Sequence, residues 1–371
     1  MKTKTYPLLS PAIGTQREVV SFHYGPANSA RKVYVQAALH ADEAPGLLVA
    51  HHLRAMLAKL EQAGKLKCEV VVVPVANPVG LAQWLSHSHL GRFEMFSAEN
   101  FNRHYPDLVD AVASRVAEAL GKDENKNARL IRRALVDSIK TLQPKTELTS
   151  LRQTLFTLAA DADIVLDLHC DSEALLHLYT GTPLWSHVKP LARYMGAVAT
   201  LLETSSGEFP FDEACSRTWW LLRERFPKHP IPLGCVAVTV ELRGHVDVSH
   251  TQAKKDSAAI IHYLMSQGMI AGKAPAMPKL IAEATPLAGS ETIHAPVSGV
   301  LAFLCEPGGK VKAGDVVADV TNPISGITTP LKATTNGMLY AREIRRFVHA
   351  GMGVCKIAGK VAFRTGNLLS E

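Results

Sequence analysis

Four short stretches of the chain are apolar and rich in valine and isoleucine: KVYVQAAL (32–39), CEVVVVPVA (68–76), ADIVLDLH (162–169) and CVAVTVEL (235–242). Runs of this length with β-branched residues on both faces predict strands buried on both sides. Between them the apolar spacing is helical, over roughly 46–62, 108–142, 150–160, 184–203, 212–226 and 252–267. Strands alternating with helices predict an α/β domain with a largely parallel central sheet. The helical stretch from 108 to 160 is expected as an insertion packed on one side.

The pattern changes near residue 267. From there to about 290 the chain is rich in Ala, Gly and Pro, and beyond it short alternating runs are punctuated by glycines. The expected organisation is a domain over 1–270, a linker over 271–290 and an all-β domain over 291–371. The last segment repeats itself: APVSGVL (295–301) and VKAGDVV (311–317) are echoed by ATTNGML (333–339) and VHAGMGV (348–354). Two such halves suit interlocked hairpins in a small barrel-sandwich-like module. The module resembles biotinyl/lipoyl-type carrier domains, in which a lysine between the halves carries the cofactor. Here that position reads TNPISGIT (321–328), without a lysine, so the resemblance extends to the fold and not to the carrier role.

Composition narrows the functional class. At 371 residues the chain suits one large domain plus a small one. Its net charge of +6 is spread along the sequence, which argues against a nucleic-acid binder and suits a small anionic substrate. No run of 18 apolar residues predicts a membrane span, and the N-terminal stretch lacks the apolar core of a signal peptide. Six scattered cysteines with no C-x-x-C pair read as buried thiols, which points to a cytoplasmic protein. A bound β module also offers a surface for a homo-oligomer.

The candidate chemistry lies at strand ends. In LHADEAPG (39–46), His40 ends one strand and Glu43 follows in the turn before a helix. His169 ends a second apolar strand in VLDLHCD, and Glu241 lies near the end of a third in VTVELRG. Carboxyl ends of parallel strands share one sheet edge, so all four residues are expected together. His40, Glu43 and His169 offer a zinc ion three ligands and leave a fourth position for water. Glu241, outside that set, is placed to take the water's proton. Asp167, two residues before His169 and on the same strand face, could orient a ligand histidine. Cys170 faces the other way and reads as a buried thiol. Plainer alternatives stand beside these readings: core histidines, a Glu241 ion pair with Arg243 or Arg103, and a structural salt bridge at Arg103.

With these residues in view, the sequence resembles the succinylglutamate desuccinylase/aspartoacylase family of the zinc carboxypeptidase superfamily. The resemblance rests on HADE (40–43), NPVG (77–80), NFNRHYP (100–106), DLH (167–169) and TVEL (239–242), in the family's order across roughly 30–250. It implies a three-layer α/β domain with a mixed, largely parallel sheet. It also implies one zinc ion on His40, Glu43 and His169, with Glu241 as general acid and base acting on zinc-bound water. Asn102 and Arg103 would hold a substrate carboxylate, and Arg92 is the nearby candidate for polarising the scissile carbonyl. Arginine suits the first of those tasks because its planar fork matches a carboxylate. Where the family's first motif commonly has small polar residues between His and Glu, this chain has Ala41 and Asp42. The implied activity is hydrolysis of a small N-acylated amino acid or related amine. The alternatives are a metallocarboxypeptidase acting on short peptides and a non-enzymatic metal-binding protein.

Overall fold

The computed structural model describes residues 1–27 and 29–369. All four valine-rich runs are strands: Glu69–Val73, Lys32–Ala37, Ile164–Asp171 and Val236–Gly244 lie side by side, in that order and parallel. They form the centre of a nine-stranded sheet. Alternate residues enter two separate cores. Tyr34, Val71, Val73 and Val165 face one, while Val33, Val35, Val70, Val72 and Leu166 face the other. Helices cover both faces, which is why these strands are apolar throughout rather than alternating. Ala44–Gln62, Trp185–Met195 and His250–Ser266 pack on one side. Val109–Val116, Glu124–Lys140, Glu147–Ala159 and Phe211–Arg225 pack on the other, so the 108–160 insertion does belong to a single face.

The flanks of the sheet make it mixed. Glu18–Tyr24 and Lys2–Pro7 extend one side antiparallel. On the other, His177–Gly181 runs against Val236–Gly244, and Ala199–Glu203 and Thr285–Pro286 follow it in parallel. Three departures from the expected pattern have local causes. The 108–142 stretch is two helices, the second capped where Asp123 accepts from the Lys126 amide. The helix expected to 203 ends at Met195 because Gly196 adopts the left-handed conformation at φ +71°; Ala199–Glu203 is then a strand. Part of the expected linker, Thr285–Pro286, is an edge strand of the large sheet.

The C-terminal β module consists of two four-stranded layers around Leu301, Val317, Leu331, Leu339, Val348 and Ile357. Its sequence repeat has a physical counterpart. The Gly314 amide donates to the Ala333 carbonyl and the Gly351 amide to the Ala295 carbonyl, each at 2.8 Å. Both glycines have positive φ, so each half's turn is tied to the start of the other half. The module joins the large unit through backbone pairing of Ala341 and Arg342 with Ala174 and Glu173. Arg342 adds a fork onto Glu173 and Glu306, and Ala174, Leu201, Leu287 and Tyr340 make an apolar seam. Among the described residues no helix is long and apolar enough to cross a membrane.

Leu53 is fully buried on the Ala44–Gln62 helix, against the sheet that this helix must hold for Glu43 to be placed. Leu53→Ala should cost about 2–5 kcal/mol of unfolding free energy in urea denaturation. A cost well below that range would mean the helix is not anchored as described.

Candidate metal centre and its pocket

His40 and Glu43 lie in the turn between Lys32–Ala37 and the helix Ala44–Gln62. The chain bends at Ala38, a non-glycine residue at φ +58°, and its neighbours fix the bend. The Ala76 amide donates to the Ala37 carbonyl, and Asn77 Nδ2 donates to the Leu39 carbonyl, both at 2.8 Å. The NPVG segment thus buttresses the backbone one residue before His40. Glu43 occupies the N-cap position of the helix and is 2% exposed.

The three residues converge. Glu43 Oε1 lies 2.9 Å from His40 Nδ1, and Glu43 Oε2 lies 2.9 Å from His169 Nδ1. Oε2 also accepts from the Cys170 amide at 2.9 Å. One donor atom from each residue lies within 4.8 Å of the other two. The far nitrogen of each imidazole is also engaged. His40 Nε2 is 2.8 Å from Asn100 Oδ1, whose orientation is set because it also accepts from the Asn102 amide. His169 Nε2 is 3.0 Å from Asp167 Oδ2, off the line of a well-aligned hydrogen bond. Asp167 Oδ1 accepts from Gln36 Nε2, and Gln36 Oε1 accepts from the Tyr34 hydroxyl.

This network decides the protonation pattern. With Asn100 Oδ1 as acceptor, His40 Nε2 is the donor, and a neutral ring then turns its Nδ1 lone pair toward the Glu43 carboxylate. Two buried acceptors facing each other call for a positive charge between them. Arg92 answers part of that demand: its Nη1 is 3.1 Å from His40 Nδ1 and 3.3 Å from Glu43 Oε1. Burial, followed by the Arg92 charge, holds His40 down to about 4. Burial works the same way at His169, but the carboxylates of Asp167 and Glu43 outweigh it and raise that ring well above the ordinary histidine range. Two imidazoles and a carboxylate, with both outer nitrogens engaged, suit a divalent transition-metal ion such as zinc.

Arg92 reaches this point because of its neighbour. The Ala41 amide donates to the Gly91 carbonyl at 3.0 Å, and a Cβ on Gly91 would stand 2.3 Å from the Asp42 nitrogen. Only glycine lets the two backbones approach so closely. The remaining expected residues line one cavity of about 80 Å³ with His40, His169 and Arg92. Glu241 is level with His169 across paired strands, and its Oε2 has no partner. Burial first, then the Glu43 carboxylate, push Glu241 up to about 8. It is not the ion-pair partner of Arg243, which is bonded to Asp256. Asn102 Oδ1 accepts from the Phe211 amide at 2.9 Å, which ties this loop to the helix Phe211–Arg225. Arg103 is buried, with Nε 3.5 Å from Glu208 Oε2.

Other lining residues went unforeseen. Asp212 and Glu213 lie in the first turn of a helix, where acidic residues are common for their effect on the helix dipole, and nothing in the sequence sets them apart. Lys356 belongs to the β module, and no linear motif connects it to a strand end 185 residues away. Asn100 sat within a quoted motif but carried no assigned part. Cys170 is buried with its thiol pushed up, first by burial, and it is not one of the clustered donors. Trp219 and Trp220 are buried in the two cores.

The sequence profile of the succinylglutamate desuccinylase/aspartoacylase catalytic domain matches residues 29–266. Among solved structures, a succinylglutamate desuccinylase/aspartoacylase family protein from Shewanella amazonensis SB2B is 26% identical, with a TM-score of 0.86 over 97% of this chain and 99% of that one. A second, from Shewanella frigidimarina NCIMB 400, is 24% identical with a TM-score of 0.85, covering 96% and 97%. The ectoine utilization protein EutE (DoeB) from Ruegeria pomeroyi, solved with product bound, shares the fold at 15% identity and a TM-score of 0.68, covering 96% and 95%. No curated protein sequence gives a significant match.

If the Asp167 carboxylate orients a metal-binding imidazole, Asp167→Asn should weaken affinity for zinc by about 10–100-fold in competition with a chromogenic chelator. Unchanged affinity would reduce the contact to simple packing.

Proposed function

Since the chain belongs to the succinylglutamate desuccinylase/aspartoacylase family, we propose that it is a zinc-dependent amidohydrolase acting on a small N-acylated amino acid or related amine. The observation that carries this reading is the convergence of His40, Glu43 and His169 beside a cavity that His40, His169 and Glu241 line. These three residues would hold the zinc. When bound, zinc supplies Lewis-acid charge that polarises a carbonyl and brings water's pKa toward ~7.

The side chains have separable tasks. Glu241 takes a proton from the attacking water and passes it to the nitrogen of the leaving amine. Its half-buried carboxyl, held near neutrality in its affinity for protons, suits both directions of transfer. Arg92 stabilises negative charge on the carbonyl oxygen as the amide carbon becomes tetrahedral. A cation held by Glu43 would satisfy the carboxylate that Arg92 now touches, freeing the guanidinium for that task. Arg103 holds a carboxylate of the substrate, while Asn102 keeps the loop seated on the Phe211–Arg225 helix. The cavity is small and walled on one side by Leu287, Lys356 and Leu369, which favours compact substrates over extended peptides.

Treatment with a strong chelator should abolish hydrolysis, and one equivalent of zinc should restore it. Glu241→Gln should lower kcat by about 10²–10⁴-fold while zinc content stays at one per chain. The screen uses N-acetyl, N-succinyl and longer N-acyl amino acids, with short peptides as the rival class. Peptide cleavage exceeding all deacylation would favour the carboxypeptidase reading. A zinc-loaded protein that cleaves neither, with Glu241→Gln indistinguishable from native, would leave only metal binding.

A further inference from the structure

Away from the cavity, two helices bring a second group of histidines together. Ala44–Gln62 carries His51 and His52, and His250–Ser266 begins with His250. The two helices are held in fixed register. Ser257 Oγ donates to the Val49 carbonyl at 2.9 Å, within the buried layer that Val49, Leu53, Ala253 and Ile260 share. Ser249 caps the second helix by accepting from the Gln252 amide, which sets the backbone of His250. His52 sits half-buried on the flank of the packed layer, and His250 is exposed beside it.

His52 Nε2 and His250 Nδ1 are 3.0 Å apart, and neither ring has another hydrogen-bond partner among the described residues. At that distance one nitrogen donates and the other accepts, so a single proton lies between them. Moving that proton to the far nitrogen of its own ring changes no net charge and turns both lone pairs into the gap. Zinc–imidazole bonds are about 2.0–2.1 Å long, and two of them at about 90–109° put their nitrogens about 2.9–3.4 Å apart. The observed separation therefore matches two adjacent corners of a metal ion, at the square end of that range. Burial first, then His51, His250 and Lys254, hold His52 below the ordinary histidine range, which leaves its ring neutral and able to ligate near neutral pH. Lys254 is exposed on a flexible stem and can swing aside as a cation enters. The His51 ring is centred 5.0 Å from that of His52 and lies edge-on to it. Neighbouring residues of a helix point about 100° apart, so His51 is directed away from the gap.

We propose that His52 and His250 form a second metal site, separate from the His40–Glu43–His169 centre, which takes a tetragonal first-row divalent ion of the copper(II) or nickel(II) kind. The order of divalent affinities and the near-square separation both favour copper(II). Two protein nitrogens leave the other positions to water. The ion pins the helix that begins at Glu43 to the helix that follows the Glu241 strand. About 13 Å of helix separate His52 from Glu43, so the two sites do not share a ligand. The proposal does not depend on the hydrolytic reading.

The test counts ions and identifies their ligands. Untagged full-length protein is dialysed against copper(II) near neutral pH, and bound copper is measured together with its electron paramagnetic resonance spectrum. The native protein should bind one copper more than either His52→Ala or His250→Ala, or bind it at least ten times more tightly. The spectrum of that copper should show coupling to two nitrogens and should vanish in both variants. His51→Ala should retain both the ion and the spectrum. Equal copper binding by native protein and both variants, a loss in only one of them, or an equal loss in His51→Ala overturns the proposal.

Discussion

The arrangement on which the site depends is a carboxylate held between two imidazole nitrogens, away from water. Glu43 presents one oxygen to His40 Nδ1 and the other to His169 Nδ1. Left without positive charge, such a cluster is among the costliest things a fold can bury. The surroundings are organised to hold it nonetheless. Asn77 fixes the turn that carries His40, the helix Ala44–Gln62 begins at Glu43, and the chain from Tyr34 through Gln36 to Asp167 supports His169 from behind. Charge and rigidity together give the cluster the donor set that a metal ion needs.

The two units of the fold divide the remaining labour. Parallel central strands bring three chemically active segments to one edge, as the geometry of such sheets requires. Among the described residues the β module contributes no donor to the metal cluster, yet its strand pairing at Ala341 and Arg342 carries it to the rim of the cavity. Its core is an apolar cluster of its own, drawn from both repeated halves. Its seam with that unit is apolar apart from a few fixed ion pairs, notably Arg342 with Glu173 and Lys356 with Asp171. Geometry of this kind makes one wall of the cavity depend on docking between units.

Much of the centre was legible in the sequence because strand ends and short motifs are local signals. The four valine-rich runs, the H-x-x-E pair, His169 and Glu241 could be read from periodicity and position alone. Arg92 was harder: its spacing gave little, and what brings it in is the contact of Gly91 with Asp42, which no linear pattern announces. Asn100 was overlooked because an asparagine in a loop has many uses. Lys356 was invisible for a different reason, since its partner lies in another unit. The outer strands Lys2–Pro7, at one edge, and Ala199–Glu203, one strand in from the other, also escaped notice, the first too polar and the second hidden behind a helix that Gly196 terminates.

The Lys356–Asp171 pair spans 185 residues of chain. Loop closure over such a distance costs little more free energy than over half of it, so remoteness in sequence adds little to the cost of joining the two units there. Because His40, Glu43 and His169 all belong to the large unit while Lys356 belongs to the module, a change in docking between the units would alter the cavity's wall without moving the three clustered donors.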